Sequence, residues 1–425
     1  MIRILQISDI HWKCEQPELD DFYNFRKAFL RDIADYVKEM NVTFDCMFVC
    51  GDIAFSGQKE QYESAAVFLR KTCEKIGCDC SKVYIVPGNH DKNCDAEGKI
   101  NREALHHQLS DPTIGEIKFQ ELKKISFEHV KSLYAPFAAY NEFVNQFKGI
   151  EKQMDWCVNP ANEGKNYDPG HSMYWNIPIA KENGYEFVLW GINTCLVSDL
   201  YDYRIKDGKE IGHKQMLMKL AYRIPAPEEN QIAISMMHHP KDCIANGKEV
   251  ADYLDTCCKI QLYGHAHLPY SEHIDCVKIY SGALQPPERG DDYYPVYNII
   301  TLEIEKGNDG YDVLKTTIET QKWVNNKFQT VNPDAKPIIL KLGETSRFVE
   351  RKESVEDYTN GATKADIYTM VYDYSDIEDI MNMLCPELYD KDASDRTNKV
   401  SLMEWVDKNN KWITLWSMIR DDDKD

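Results

Sequence analysis

The chain has 425 residues, 43% hydrophobic and 28% charged, with 50 basic against 70 acidic side chains and a net charge of −20. That length buries one large core with room for an extension or a second domain, and the composition is that of a soluble globular protein. An acidic field of this size repels long polyanions and argues against an extended nucleic-acid surface, while a small anion bound through cations stays compatible with it.

Met1 leads directly into a strand-like run from Ile2 to Ile7, without the basic and apolar regions of a secretory signal. No apolar stretch approaches the ~20 residues of a membrane-spanning helix, so no membrane partner is expected. The 14 cysteines lack framework spacing and read as reduced thiols of a cytoplasmic protein. Cys73, Cys78, Cys80 and Cys94 crowd one region but lack the paired CxxC spacing of a structural zinc site.

In chain order, strands are predicted at Arg3 to Ser8, Cys46 to Cys50 and Val83 to Val86, separated by amphipathic runs at Phe22 to Met40 and Glu60 to Ile76. This alternation is the rhythm of a layered α/β domain. Residues 92–170 interrupt it with helical patterns at Glu116 to Leu133 and Pro136 to Phe147, then a polar stretch, and read as an insertion over or beside the site. Strands resume at Phe187 to Ile192, Gln231 to Met237, Ile260 to Tyr263 and Val277 to Tyr280. A pair at Tyr297 to Ile304 and Tyr311 to Thr317 is expected to finish a second sheet. The texture changes near 325–335, giving a domain over 1–325 and a C-terminal extension over 326–425. Trp405, Trp412 and Trp416, with Leu402, Ile413 and Leu415, offer that extension either a small core of its own or a surface for a protein partner.

Five short motifs follow apolar strand-like runs: SDIH with Asp9 and His11, GDIAFSG with Asp52, GNHD with Asn89, MMHHP with His238, and GHAH with His265 and His267. Loops at the carboxyl ends of strands are where α/β sheets place ligands. In an extended chain, residues i and i+2 share a face, so Asp9 with His11, and His265 with His267, can each reach one ion. Asp52 can bridge two ions through its two oxygens, and Asn89 supplies a neutral oxygen. Carboxylate and imidazole donors suit manganese, iron, zinc or nickel. Gly51, Gly88 and Gly264 would let the chain turn tightly at these positions. Each motif alone is a common loop feature; the ordered set of five is the signal.

With these motifs the sequence resembles the calcineurin-like metallophosphoesterases, whose pattern is DxH, GD, GNH[DE], a later His and GHxH, over residues ~1–285. The resemblance implies a four-layered αββα sandwich with a dinuclear metal centre. It implies that Asp9, His11, Asp52 and His267 hold one metal and Asp52, Asn89, His238 and His265 the other. The family's His-x-Pro pattern selects His238, with His239 as the alternative; His239 is expected on the opposite face if the strand continues. By the same resemblance His90 is not a ligand but stabilises the transition state or protonates the leaving oxygen, a task suited to a histidine. Asp91 offers either a carboxylate partner for the His90 ring or a loop cap.

Two such metals, manganese foremost, would hydrolyse a phosphate ester through a shared, activated water. A phosphodiesterase acting on a small nucleotide-like ester fits the acidic charge and the insertion, with Trp12 either stacking on a base or packing inside. A phosphomonoester or phosphoprotein phosphatase would need basic residues near the metals, for which Arg102, Arg204 and Lys214 are candidates. A nuclease would need a basic path that the chain does not show and that a partner would have to supply. A non-catalytic binding component is disfavoured by the complete ligand set.

Overall fold

In the computed structural model of the chain, the described residues are 1–13, 22–96, 98–111, 115, 117–119, 132–147, 173–198, 203–206, 209–222, 224–286, 294–307, 310–331, 336–342, 367, 371, 377–391, 393–409, 411, 412, 415 and 419. The strands are β1 (Ile2–Ile7), β2 (Cys46–Cys50), β3 (Val83–Val86), β4 (Tyr174–Glu182), β5 (Tyr185–Ile192), β6 (Arg204–Lys206), β7 (Lys209–Ile211), β8 (Gln231–Met237), β9 (Cys258–Tyr263), β10 (Pro269–His273), β11 (Val277–Ser281), β12 (Val296–Lys306), β13 (Asp312–Val324), β14 (Lys327–Thr330) and β15 (Ile338–Lys341). The helices that frame them are α1 (Tyr23–Met40), α2 (Lys59–Ile76), α3 (Lys99–Leu109), α4 (Ala138–Val144), α5 (Gly247–Cys257), α6 (Glu378–Leu384) and α7 (Asp395–Asn409).

Two sheets carry the core. One runs β14-β13-β12-β1-β2-β3 with β15 also on β13, and the other β10-β11-β9-β8-β5-β4; β6 and β7 form a separate hairpin. In the first sheet β1, β2 and β3 are parallel, and in the second β5, β8, β9 and β11 are parallel. Their continuous apolar runs are buried along almost their whole lengths, as expected of strands covered on both faces. Helices pack on the outer faces: Phe29 of α1 meets Tyr297 of β12 edge-on at 5.1 Å and Phe68 of α2 at 5.6 Å. The inner faces meet where Tyr84 of β3 lies 6.4 Å from Trp175 of β4. Trp175 has room only because position 191 is glycine; a Cβ there would sit 2.0 Å from the indole. The result is the four-layered αββα sandwich.

The pair β12 and β13 corrects one expectation. It does not finish the second sheet but joins the first, with β12 antiparallel to β1 from Ile2↔Leu302 to Gln6↔Asn298. A buried N-terminal strand needs partners on both edges; β2 takes one edge of β1 and β12 the other. The short strands β14 and β15 then pair with β13 and continue the same sheet beyond residue 325. The first compact unit accordingly spans Met1–Glu344 and the second Thr345–Asp425.

Helix ends follow local chemistry. α1 stops at Asn41 in the left-handed region (φ 49°), and α2 opens with a capping box between Gln58 and Gln61 and closes at Gly77 (φ 67°). Within the insertion, α3 and α4 are described, while residues 120–131 and 148–172 lie outside the described residues. In the second unit, Ile367, Met381, Leu402, Val406 and Leu415 form a core of their own, with Trp412 buried in it and Trp405 packed against it; Ile413 and Trp416 lie outside the described residues. No helix among the described residues is long and apolar enough to cross a membrane.

Candidate metal centre

All five motifs sit just past the carboxyl ends of strands, three on the first sheet after β1, β2 and β3, and two on the second after β8 and β9. Main-chain hydrogen bonds continue the sheets into these loops. Asp9 N donates to Gly51 O (3.0 Å), His11 N to Asp52 O (2.9 Å), Gly264 N to His238 O (3.0 Å) and Gln285 N to Asp9 O (3.1 Å).

The ligand pairs converge for a different reason than expected. Asp9 and His11 are not in extended chain, since β1 ends at Ile7. Both have positive φ, 52° and 47°, as do Asp52 (53°), His265 (63°) and His267 (56°); the other four non-glycine residues with positive φ among the described residues are asparagines. Each such residue costs about 1–3 kcal/mol and persists only when its surroundings over-determine it. The glycines serve close approach as much as turning. Gly51 has φ 90°, and a Cβ there would meet His238 Nδ1 at 2.6 Å. Gly88 is extended, but its Cβ would sit 2.0 Å from Asp52 Oδ1.

The side chains gather into overlapping groups. Asp9–His11–His267, Asp9–Asp52–His238, His11–Asp52–His90 and His238–His239–His265 each bring three ligand atoms within 4.8 Å of one another. His11 Nε2 lies 3.3 Å from His267 Nε2, and His267 Nε2 lies 3.2 Å from Asp9 Oδ1. His238 Nε2 lies 3.4 Å from Asp52 Oδ2 and 3.2 Å from Asn89 Oδ1. His238 Nδ1 donates to Cys50 O (2.8 Å), which turns Nε2 toward Asp52 and Asn89. His265 Nε2 is 3.2 Å from Tyr203 O.

Asp9 and Asp52 are buried to within 1%. Among the described residues they pair with histidines and with no lysine or arginine. Burial alone would raise both carboxyls. The neighbouring rings win: the bond and charge of His267 and the charge of His238 lower Asp9, and His238, His90 and His11 lower Asp52. Burial would likewise lower His238, but the Asp52 charge and hydrogen bond and the Asp9 charge push it up to about 9. Burial brings His11 and His265 down to about 3, so both rings are neutral near pH 7 and able to donate a lone pair. Two buried carboxylates facing imidazoles are a costly arrangement without compensating cations. The donor set therefore fits divalent metal ions.

His90 stands beside this cluster. Its ring is 4.8 Å from that of His11, its amide donates to Asp52 Oδ1 (2.8 Å), and its Nδ1 is 2.7 Å from Phe55 O. That carbonyl can only accept, so Nδ1 carries the hydrogen of this bond and Nε2 takes no part in it. Asp91 does not orient this ring. Its carboxylate accepts from the amides of Ile53 (3.0 Å), Ala54 (2.9 Å) and Gly88 (2.9 Å) and from the Tyr62 hydroxyl (3.0 Å). Burial and the Asp52 charge raise its pKa to about 7, against the pull of those three amides. Asp91 is the loop cap that ties the GD and GNHD motifs together, because it lies on the amide-rich inner side of both turns.

Three other expectations change. His239 does not face away from His238: β8 ends at Met237 and the chain turns, so both rings reach His265, at 5.2 Å and 4.5 Å. His239 Nδ1 lies 2.9 Å from the Thr194 hydroxyl. Trp12 is 3% exposed, packed on Phe68 with the Arg26 guanidinium 4.1 Å above its ring, and is not open to a base. Arg102 is buried in the insertion, donating to Cys94 O (2.7 Å), not beside the metal ligands. Lys214 lies 4.6 Å over the Tyr203 ring, on the His265 side of the site, and the Arg204 side chain lies outside the described residues. The residues missed in the sequence are Phe55 and Thr194. Phe55 was legible as part of GDIAFSG but carried no ligand chemistry, and Thr194 lies in a loop without a motif.

A family model for calcineurin-like phosphoesterases matches residues 2–269. The chain belongs to the calcineurin-like phosphoesterase family. Among curated relatives, the chain is 24% identical over 277 residues to the uncharacterized metallophosphoesterase-like protein YydB of Bacillus subtilis. The match covers 63% of this chain and 49% of YydB, so it spans about half the relative's length. Among solved structures, it is similar to the purple acid phosphatase PPD1 of yellow lupin, at 11% identity and a TM-score of 0.34 over 80% of this chain and 53% of that one. It is also similar to the NAD nucleotidase NadN of Haemophilus influenzae, at 12% identity and a TM-score of 0.29 over 80% and 50%. Likenesses at these scores carry no weight for the activity of this chain, which the family and the geometry must argue.

Proposed function

We propose that this calcineurin-like phosphoesterase is a two-metal phosphodiesterase for a small, nucleotide-like ester. One divalent ion would lie among Asp9, His11, Asp52 and His267, and the other among Asp52, Asn89, His238 and His265. The observation that supports this best is the convergence of buried carboxylate, amide and imidazole donors from two sheets on one spot, with Asp52 contacting both halves. His238 is preferred over His239 because its Nε2 meets both Asp52 Oδ2 and Asn89 Oδ1. Manganese is the ion we expect, with iron, zinc or nickel as substitutes from the same donor chemistry.

When bound, the two ions neutralise phosphate oxygens and lower the pKa of a coordinated water toward ~7. The chain's own contribution is placement. The main-chain bonds of the five loops hold the donors, and the Asp91 cap keeps the GD and GNHD loops in register. His90, with its Nδ1 hydrogen held by Phe55 O, would face the leaving oxygen through Nε2 and, as the imidazolium, supply the Nε2 proton, becoming the neutral ring. No lysine or arginine among the described residues pairs with the ligand carboxylates, which suits a diester monoanion better than a monoester dianion. The twelve described free cysteines fit a reducing, cytoplasmic setting. In this reading the second unit, Thr345–Asp425, lies outside the chemistry and is the place for a protein partner or regulation.

The test is hydrolysis of a chromogenic phosphodiester against the matching monoester, with manganese returned to metal-stripped protein. Preference for the diester is expected. Preference for the monoester would replace this reading with a phosphatase, and turnover without any metal would remove the two-metal reading.

A further inference from the structure

Phe55 is the only exposed phenylalanine or tryptophan among the described residues, 36% accessible, and it stands at the rim of the metal centre. Its backbone is fixed on both sides: its amide donates to Trp12 O (3.1 Å), and its carbonyl holds His90 Nδ1 (2.7 Å). Its ring centroid is 5.4 Å from that of His90 and 6.4 Å from that of His11. Over its face, 4.3 Å from the centroid, lies the ammonium of Lys13, an exposed side chain that forms no ion pair among the described residues. Both residues flank ligand motifs, Lys13 two positions after His11 and Phe55 three after Asp52, and the Trp12↔Ala54 bridge joins their strands of loop.

An exposed aromatic face beside the His90 ring, topped by an exposed lysine ammonium, is a combination that folding alone does not require. We propose that Phe55 and Lys13 form a subsite for the planar aromatic part of the substrate, a nucleobase or comparable heteroaromatic group carried on the phosphate ester. The base stacks on the Phe55 ring in place of the Lys13 ammonium. The long lysine side chain then swings to an anionic or hydroxyl oxygen of the same ligand. This gives Phe55 the role that Trp12 cannot fill from beneath Arg26. It also makes the residue that orients His90 through its main chain the one that selects the leaving group through its side chain. The proposal rests on the two-metal reading for the position of the phosphate.

The test uses the full chain loaded with manganese and calorimetric titration with adenosine 5′-monophosphate and with ribose 5-phosphate, which lacks the base. Wild type should bind the nucleotide about 10- to 100-fold more tightly than the sugar phosphate. Phe55→Ala should collapse that ratio toward one, and Phe55→Trp should restore it. Lys13→Ala should weaken both ligands without collapsing the ratio. Equal binding of the two ligands by wild type, or an unchanged ratio in Phe55→Ala, would overturn the proposal while leaving the two-metal reading intact. If both ligands bind metal-stripped wild type as tightly as the loaded form, the phosphate is not at the metals, and both readings fall together.

Discussion

The metal cup and its rim are held in place by different means. In the cup, Asp9, His11, Asp52, Asn89 and His238 are all less than 9% exposed. Asp9, His11, Asp52, His265 and His267 adopt positive φ, and Gly51 and Gly88 leave no space for a Cβ. At the rim, Phe55 and Lys13 are exposed, and their side chains touch each other and the His90 ring rather than the core. A metal centre tolerates errors of about 0.5 Å in its donors. Placement in the cup is therefore written into the backbone, where a single substitution cannot adjust it. The rim is written into side chains on that rigid backbone, where a substitution changes what is recognised without moving what reacts.

The comparison can be broken at graded points. Asp52→Asn should have the largest effect, because one oxygen of Asp52 pairs with both His11 (3.9 Å) and His238 (3.4 Å). Metal content and turnover should both fall to background, and retained metal with full activity would remove Asp52 from the centre. His90→Ala should come next. It should keep the metals, measured by elemental analysis, while slowing turnover about 10²–10⁴-fold; loss of metal instead would mean His90 is itself a ligand. Asp91→Ala should affect turnover least and stability most. It strands the buried amides of Gly88, Ile53 and Ala54 and the Tyr62 hydroxyl. Each unsatisfied group costs about 1–3 kcal/mol, read as a fall in the melting temperature. An unchanged melting temperature with a His90-like loss of turnover would return Asp91 to the role of orienting the imidazole.

Much of this was legible in the sequence because the cup is local. Each motif directly follows an apolar strand, so the strands and their donors could be read together, and β1, β2, β3, β5, β8, β9 and β11 lie where the apolar runs place them. What could not be read is what depends on distant partners. That β12 pairs with β1 is a contact between residues some 300 positions apart, and no periodicity carries it. The edge strands β4 and β10 were missed for local reasons. β4 contains Pro178 with a register shift beside it, and β10 is exposed along most of its length, so neither shows strand-like apolarity. The exchange of roles between Trp12 and Phe55 has the same origin. Both are aromatic residues near a ligand, and only the burial of Trp12 beneath Arg26 tells them apart. The opposite faces expected of His238 and His239 required the strand to run on past Met237, and β8 ends there, where its apolar run ends.

The most direct test of the central claim is anomalous diffraction at the manganese edge from crystals of the full chain grown with manganese. The account predicts two peaks. One lies among Asp9, His11, Asp52 and His267, the other among Asp52, Asn89, His238 and His265, with Asp52 touching both. A single peak, or a second one held by His239 in place of His238 and Asn89, would contradict it.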